Sequence, residues 1–443
     1  MCPLALPRAP TRTPLPALPV DLFSLVSLVL VVAALLAFLN RRFLKLPSTI
    51  GVMLLALVVS LATFAIGQFE PTLVDSARSL LLQVDFSDTL LDVMLAFLLF
   101  AGALHVKLED LAGQKWVIGT LATVGVVVST VLVGVATRYT LIAIGVGTIP
   151  WLHAFLFGAL ISPTDPIAVL GILKSAGVKK SLETKVTGES LFNDGVGVVV
   201  FVALLGLATA DHGTGAGDIA MLFVHEVFGA LALGALAGAI TYWLMKQIDD
   251  YPAEVMLSLA LCMGVYSLAG ALHTSGPLAV VVAGLLVGNQ GRRGAMSTST
   301  VQRLDDFWEM VDELLNVMLF VLIGLELLVL PWSTQNIIFG LIAIPMVLAV
   351  RFLAVAGTVR VLSLRREFSP GAVTLLTWGG LRGGISIALA LILQDKLGGG
   401  ATVLLTATYV VVVFSIVVQG LTVGRLARRI QSKTPDGEPA VTT

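Results

Sequence analysis

Long apolar stretches separated by short polar loops are the feature that most constrains how this chain can fold. Lipid cannot hydrogen-bond an open backbone, so a run of about 20 apolar residues in a membrane must be helical. Thirteen such segments fall at 21–39, 46–67, 88–106, 116–137, 150–173, 186–210, 219–245, 252–272, 276–289, 304–330, 335–359, 370–394 and 400–424. The ninth is short, and a tilted or partly interfacial helix is the alternative for it. The sequence therefore predicts an all-α polytopic membrane protein.

Composition supports this prediction and argues against several other classes of protein. Only 12% of the residues are charged, about half of the roughly 25% found in soluble domains. The net charge of −1 leaves no basic footprint for nucleic acid. The sequence has no phosphate-binding glycine loop, so we expect no role for ATP. The cysteines, Cys2 and Cys262, are far apart, which argues against a disulfide scaffold or a structural metal. We expect no cofactor.

Positively charged residues are distributed unevenly between the two sets of loops. Of the 27 Lys and Arg residues, 20 lie in one set of loops and the C-terminal tail, and five lie on the opposite side. The remaining two, Arg351 and Arg382, lie inside apolar segments. Because cytoplasmic loops carry the excess of Lys and Arg, we predict a protein of the cytoplasmic membrane with its N-terminus outside and its C-terminus in the cytoplasm.

The two ends of the chain flank a single predicted membrane domain, 21–425. The first 20 residues contain six prolines and are predicted to form a disordered leader, 1–20. The polar end, 426–443, is predicted to be a short cytoplasmic tail. The apolar run 22–39 could also serve as a signal peptide, but it is long and lacks a small-residue cleavage site. We therefore favour a retained first helix.

Two of the apolar segments contain residues that break helices. In the fifth, Pro163 and Pro166 bracket Thr164 and Asp165, and each proline removes a backbone donor and clashes with the preceding turn. In the twelfth, TWGGLRGGISIALAL, four glycines surround Arg382. A proline kink and glycine-mediated helix packing are the alternatives for each motif alone. The two segments are seven spans apart and run in opposite directions, which is typical of an inverted-repeat transporter with its ion site at the broken helices.

The sixth and eleventh segments carry charged residues, which cost several kcal/mol at membrane depth unless they are paired or face water. The sixth begins TGESLFNDGVG, where Ser190, Asn193 and Asp194 share one helix face and Glu189 adjoins it. A capped helix start would explain Glu189 but not Asp194. Arg351 has no acid nearby in the eleventh segment, so it needs a carboxylate from elsewhere in the chain.

These four motifs together resemble a known family of transporters. TDP in the fifth segment, GESLFNDG in the sixth, the intramembrane Arg351 and GGLRGG in the twelfth are similar to the NhaP-type monovalent cation:proton antiporters, prokaryotic relatives of the sodium/hydrogen exchangers. The resemblance covers segments two to thirteen. It implies two inverted six-helix repeats with crossed discontinuous helices at segments five and twelve. It also implies a mobile core of segments four to six and eleven to thirteen, and a homodimer in the lipid bilayer formed by the others.

The resemblance implies an ion-binding role for five residues. Asp194 corresponds to the carboxylate that alternately binds cation and proton, and Asn193 precedes it. Asp165 corresponds to a second acid in the unwound crossing, Thr164 to a backbone ligand and Ser190 to a hydroxyl ligand. On this basis Na⁺ is expected at Asp194, Asp165, Ser190 and Thr164.

Three further residues are assigned structural roles by the same resemblance. Glu189 and Arg351 correspond to a buried ion pair, and Arg382 corresponds to the charge that balances the ends of the crossed helices. The sequence departs from many relatives in the third segment, LLFAGALHV, where Ala101 is placed at the position of an acid. This departure bears on cation affinity and selectivity.

The chemistry of a carboxylate leads to the same functional hypothesis. A carboxylate that faces water can hold a small hard cation or a proton but not both, because each neutralises the same charge. Competition between the cation and the proton for Asp194 predicts obligatory exchange. Because Asn193 is uncharged, we expect one cation to be exchanged for one proton, which is electroneutral. The expected role is pH and cation homeostasis. Na⁺ is the main expectation, with K⁺ and Li⁺ left open. Two alternatives remain. One is an intramembrane aspartyl protease that uses Asp165 and Asp194, but the sequence lacks the GxGD signature of that class. The other is a cation channel, which would not need proton-sensitive acids. We expect a transporter and not an enzyme.

Overall fold

Helices form all of the regular structure in the part of the chain that the computed structural model describes. That part comprises residues 22–67, 69, 89–106, 108–165, 180–209, 216–330, 332–364, 368 and 371–432. Besides the helices, these residues contain one isolated backbone bridge. The predicted leader 1–20, Pro166 with the rest of the fifth segment, and the end of the predicted tail, 433–443, lie outside the described residues.

The described helices follow the predicted apolar segments. They are α1 (Leu22–Leu39), α2 (Ser48–Ile66), α3 (Thr89–His105), α4 (Leu108–Thr120), α5 (Val126–Ala143), α6 (Trp151–Ile161), α7 (Lys180–Thr209), α8 (Ala216–Met245), α9 (Tyr251–Ala271), α10 (Gly276–Leu286), α11 (Thr298–Glu326), α12 (Thr334–Leu362), α13 (Ala372–Trp378), α14 (Gly384–Leu397), α15 (Thr402–Phe414) and α16 (Gly420–Ser432). A π-turn joins α4 to α5 and another joins α15 to α16. The predicted tail, 426–443, thus begins inside a helix.

Several of these helices are long and apolar enough to cross a membrane. Eight helical stretches among the described residues meet that requirement by length and composition, and the last of them runs from Gly384 to Ile430. The apolar helices Val93–His105 and Trp151–Ile161 are shorter. The prediction of an all-helical polytopic protein is confirmed, whereas the number of thirteen spans stays a prediction.

Buried apolar side chains form two main clusters. The larger cluster combines residues of α1, α2 and α11 with residues of α6, α12, α14 and α15. The second cluster combines residues of α3, α8, α9, α10 and α11 around Trp308. Helix α10, which covers the short ninth segment, has nearly all of its residues buried and packs on α3, α8 and α9. It is therefore enclosed by the neighbouring helices.

Glycines allow several of the described helices to approach one another closely. A methyl group on Gly158 of α6 would collide with the backbone carbonyl of Thr130 in α5, and one on Gly288 would collide with the carbonyl of Leu104. Lipid provides no hydrophobic driving force between helices, so small residues that let backbones approach stabilise helix packing in membranes. The α5–α6 pair, which holds the start of the interrupted fifth segment, depends on such a contact.

We expect Gly158→Ala to destabilise the protein. The added methyl group must push α6 away from α5, and overpacking of this kind lowers the free energy of unfolding by about 1–3 kcal/mol. The measurement is the temperature at which half of the detergent-solubilised protein is lost from the monodisperse peak in size-exclusion chromatography. Gly264→Ala is the matched control, because Gly264 lies in the helix α9 with no atom within 4 Å of the added methyl group. An equal loss of stability in both variants would show that close packing of α6 on α5 at Gly158 does not stabilise the protein.

Candidate functional site

The fifth segment is interrupted where the prolines predict a break. Helix α6 ends at Ile161, and residues 162–165 are not helical. The backbone N–H of Asp165 donates to the carbonyl of Leu381 at 2.7 Å, which forms the isolated antiparallel bridge. A proline at position 163 favours this ending, because its ring clashes with the carbonyl four residues earlier.

The twelfth segment is interrupted at the same place in space. Helix α13 ends at Trp378 and α14 begins at Gly384, so Leu381 lies in the non-helical stretch between them. A Cβ atom on Gly383 would lie 2.5 Å from Oδ2 of Asp165, so only glycine permits this approach. The structure thus brings the two predicted breaks into direct backbone contact.

Arg382 compensates the backbone groups that the first break exposes. Its Nη1 atom donates to the carbonyl oxygens of Ser162 and Pro163, the latter at 2.7 Å. Its backbone N–H donates to Oγ of Ser415 at 2.9 Å. The last carbonyls of a helix have no partner inside the helix and carry partial negative charge. A buried guanidinium therefore stabilises the end of α6, with the side chain of Arg382 itself almost fully buried.

Helix α7 holds the first break from the other side through two polar side chains. Asn193 accepts a hydrogen bond at Oδ1 from the backbone N–H of Thr164 (3.2 Å) and donates from Nδ2 to Oγ1 of Thr164 (2.8 Å). The hydroxyls of Thr164 and Ser190 are 3.0 Å apart. All three side chains are buried. Both ends of the Asn193 amide are therefore engaged in fixing the break, while the hydroxyls of Thr164 and Ser190 lie side by side.

The two acids of the motifs line the same cavity. Asp194, on α7, and Asp165, at the first break, both line a cavity of about 60 Å³, which has room for several water molecules. Asp165, Glu189 and Arg382 are the charged groups that act most strongly on the Asp194 carboxyl. The rest of the wall is largely apolar and includes Leu98, Leu99, Gly102, Pro163, Leu191, Leu319, Gly383, Gly384 and Ile385. Two carboxylates thus share a small cavity that is large enough for a partly hydrated ion.

Glu189 and Arg351 form a buried ion pair beside the site. Arg351 donates from Nη2 to Oε2 of Glu189 at 2.8 Å and from Nη1 to Oε1, a bidentate arrangement. Nη2 also donates to the carbonyl of Leu376 at 3.2 Å. The side chains are 1% and 7% exposed for Glu189 and Arg351 respectively. The pair joins α7 to α12 and to the end of α13, so it connects the two interrupted segments indirectly.

The third predicted segment contributes helix α3 to the wall of the cavity, but Ala101 does not line it. Ala101 is buried in the second apolar cluster, with Phe100 and Leu104, and it is not among the cavity-lining residues. The residues of this stretch that line the cavity are Leu98, Leu99 and Gly102. Among the described residues that line the cavity, α3 therefore supplies only apolar and glycine positions.

Sequence reasoning missed polar residues that α11 and α14 contribute. Asn316 and Ser386 line the cavity, and Asp312 lies one turn before Asn316 on the same face of α11. The available signal was the pair Asp312 and Asn316 at spacing i, i+4 inside the apolar segment 304–330. This pair was overlooked because acidic residues at the start of a segment are also typical of a helix end that is exposed to water.

We expect the loss of either partner of the buried ion pair to destabilise the protein. Glu189→Ala or Arg351→Ala leaves an uncompensated buried charge, which costs about 3–5 kcal/mol. The double variant removes both charges, so its loss should be clearly smaller than the two single losses added together. Thermal denaturation of the detergent-solubilised variants measures this coupling.

Glu109 and Arg293 provide the control for this experiment. They also form an ion pair, but their side chains are 73% and 62% exposed. Loss of an exposed pair costs about 1 kcal/mol or less, so Arg293→Ala should melt close to the parent protein. Additive losses for Glu189 and Arg351 would show that they do not act as partners.

Comparisons with known proteins identify the family of this chain. Residues 28–429 match the family model described as sodium/hydrogen exchanger, transmembrane. The chain is 46% identical over 419 residues to the Na⁺/H⁺ antiporter NhaP of Pseudomonas aeruginosa, covering 94% of this chain and 98% of that one. It is 36% identical over 396 residues to the Na⁺/H⁺ antiporter NhaH of Halobacillus dabanensis, covering 88% and 93% of the two chains.

A solved structure shares the fold. The sodium proton antiporter MjNhaP1 from Methanocaldococcus jannaschii superposes with a TM-score of 0.73 over 93% of this chain and 99% of that chain, at 20% identity. At that identity the likeness concerns the fold alone, whereas the family match and the two relatives extend over nearly all of the sequence. This chain therefore belongs to the sodium/hydrogen exchanger family.

Proposed function

We propose that this protein is a secondary antiporter that exchanges Na⁺ for H⁺ across the cytoplasmic membrane, in the service of pH and cation homeostasis. The observation that carries the proposal is the position of Asp165 and Asp194 on one cavity, where the end of the fifth segment's helix contacts the break in the twelfth segment. Small hard cations prefer oxygen ligands, and the same carboxylates can bind protons. One site then serves both substrates in turn.

Exchange follows from the charge of the cavity. Two carboxylates and one arginine, Arg382, leave the site with surplus negative charge when both acids are ionised. Because a buried charge must be compensated, either a cation or a proton has to enter before the site closes. A cation bound at Asp194 excludes the proton, and the reverse also holds. The hydroxyls of Ser190 and Thr164 supply further oxygen atoms beside the break.

The two buried arginines near the site already have other partners. Arg351 is engaged by Glu189, and Arg382 is engaged by the carbonyls of Ser162 and Pro163. Neither guanidinium therefore forms a permanent ion pair with Asp194. In this mechanism Asp194 is the exchanging group, Asp165 assists it, and Asn193 positions Thr164.

The wider architecture belongs to the same proposal. We place two inverted six-helix repeats within thirteen spans, with the N-terminus outside and the C-terminus in the cytoplasm. Segments four to six and eleven to thirteen would move as a core against a homodimer formed by the other segments. The meeting of the two breaks at one bridge and the separate cluster around Trp308 support this division. Membership of a family of transporters removes the aspartyl protease as a candidate.

We expect Asp194→Asn to abolish cation-driven proton movement. The amide keeps the size of the side chain but carries no exchangeable charge. The measurement is Na⁺-driven alkalinisation of acid-loaded proteoliposomes, repeated with K⁺ and Li⁺ to establish selectivity. Asp395→Asn is the matched control, since that side chain is 63% exposed on α14, and it should retain activity. Half of the parental rate in Asp194→Asn would refute the assignment, and a proton flux independent of the cation would indicate a channel.

We also expect the exchange to be electroneutral. Asn193, the residue beside Asp194, carries no charge, and both ends of its amide are engaged with Thr164, so it cannot hold a second proton. A membrane potential imposed with valinomycin and a K⁺ gradient should leave the equilibrium distribution of Na⁺ and H⁺ unchanged. Each net charge moved across the membrane is worth about 2.3 kcal/mol per 100 mV. The equilibrium distribution of Na⁺ and H⁺ would therefore shift visibly if the carrier were electrogenic. A reproducible shift would disprove one-for-one exchange without affecting the antiporter assignment.

A further inference from the structure

The thirteenth predicted segment contains a local change of helix type. Between α15 and α16 the chain forms a π-turn over Ser415–Gln419, in which the backbone N–H of Gly420 donates to the carbonyl of Ser415. The side chains of Ser415 and Gln419 are both buried, and residues four apart on a helix are neighbours on one face. Single π-turns inside helices are frequent at functional sites, which makes the partners of these two polar side chains informative.

Both side chains bind the break in the twelfth segment. In an unbroken helix the N–H of Arg382 would donate to the carbonyl of Trp378, four residues earlier. Instead, the N–H of Arg382 donates to Oγ of Ser415 at 2.9 Å. The carbonyl of Trp378 accepts a hydrogen bond from Nε2 of Gln419 at 3.0 Å. The two halves of one missing helical hydrogen bond are thus each satisfied by a side chain of the π-turn.

The bond to Ser415 also fixes a peptide group on which Asp165 depends. The carbonyl of Leu381 and the N–H of Arg382 belong to the same planar peptide group. That carbonyl accepts from the backbone N–H of Asp165 at 2.7 Å, while the N–H on the other side donates to Ser415. Because the peptide group is rigid, a rotation at one end moves the other. Ser415 therefore sets the orientation of the acceptor that holds the backbone of Asp165.

The same bond bears on the second acid through the side chain of Arg382. The guanidinium of Arg382 donates to the carbonyls of Ser162 and Pro163, and its charge acts on the Asp194 carboxyl. A buried N–H that loses its acceptor is costly to leave unpaired, so the backbone of Arg382 would reorient if the hydroxyl of Ser415 were removed. The guanidinium would then move with it.

The first break is held in a comparable way. The N–H of Thr164 donates to Oδ1 of Asn193 in the sixth segment. At each break, therefore, the next segment along the chain supplies a side-chain oxygen that accepts a backbone N–H. The sixth and thirteenth segments are seven spans apart, as the fifth and twelfth are, which is the spacing expected of two corresponding repeats.

We propose that Ser415 is a positioning residue that sets the cation affinity of the exchange site. Its hydroxyl holds the Leu381–Arg382 peptide group in the orientation that places Asp165 at the cavity, and Gln419 assists by holding the end of α13. The proposal rests on the proposed exchange function. Ser415 does not line the cavity described above, so it acts on the cation only through Asp165 and Arg382.

The test measures two quantities in proteoliposomes that contain equal amounts of inserted protein. They are the Na⁺ concentration that gives half-maximal proton movement and the maximal rate. We expect Ser415→Ala to raise the half-saturating Na⁺ concentration about five- to tenfold, because the peptide group loses its acceptor. The maximal rate should change less than about twofold. A merely structural role would instead lower the maximal rate at unchanged half-saturation, since fewer molecules would be folded.

Two variants serve as controls. Ser415→Thr keeps the hydroxyl and should restore the half-saturating concentration of the parent protein. Thr408→Ala removes another buried hydroxyl of α15, one that donates to the carbonyl of Leu404 in its own helix at 2.8 Å, and its effect should stay below about twofold. A comparable shift in Thr408→Ala, or an affinity in Ser415→Thr as low as in Ser415→Ala, would overturn the proposal.

A further variant tests the other side of the π-turn. Gln419→Met keeps the length of the side chain but removes the donor to the carbonyl of Trp378. We expect it to raise the half-saturating Na⁺ concentration about two- to threefold, less than Ser415→Ala, because Trp378 is not part of the peptide group that holds Asp165. If Ser415→Ala does not insert, Gln419→Met decides the matter, and unchanged half-saturation in it would count against the π-turn.

The outcome for the parent protein separates the two levels of inference. If the parent protein shows Na⁺-dependent proton movement and Ser415→Ala leaves half-saturation unchanged, the role of Ser415 is wrong and the exchange function stands. If the parent protein shows no such movement, the proposed function fails and the role of Ser415 fails with it.

Discussion

The site depends on the interaction between the Arg382 guanidinium and the carbonyl groups at the end of α6. Interrupting a helix inside a membrane leaves carbonyls without partners in a medium that cannot hydrate them. Arg382 donates to two of these carbonyls, those of Ser162 and Pro163. Its positive charge also acts on the Asp194 carboxyl. The Arg382 side chain thus stabilises the break and also lowers the electrostatic cost of placing two acids in the same cavity.

Helix α7 is the common support for the remaining parts of the site. Within six consecutive residues it directs Glu189 to Arg351, Ser190 and Asn193 to Thr164, and Asp194 to the cavity. These groups point to different neighbours because a helix turns about 100° per residue. A displacement of α7 would therefore carry the exchanging acid and the clamped break together. That coupling suits a site that must keep its geometry while its access changes sides.

Much of the fold and part of the site were predictable because their signals are local. Helices occur where apolar runs reach about 20 residues, and breaks occur at Pro163 and around Arg382, where proline and glycine oppose helix formation. The acids of the TDP and ESLFND motifs were singled out for a similar reason, since a charge inside an apolar run is costly wherever the helix packs. Asp312 escaped notice because it lies where the apolar run gives way to a charged helix end.

By itself, the sequence determined where the chain is helical, where the helices break and which charged groups enter the apolar interior. These properties follow from backbone hydrogen bonding and from the transfer of side chains into lipid, both of which act within a few residues. Only the tertiary structure decided that Arg382 binds the carbonyls of the other break, that Asn193 holds Thr164, and that α3 turns Leu98, Leu99 and Gly102, but not Ala101, to the cavity. These contacts join residues far apart in sequence, and their identity depends on how each helix is rotated about its axis. Packing against neighbouring helices sets that rotation, which a sequence that is apolar on most sides leaves undetermined.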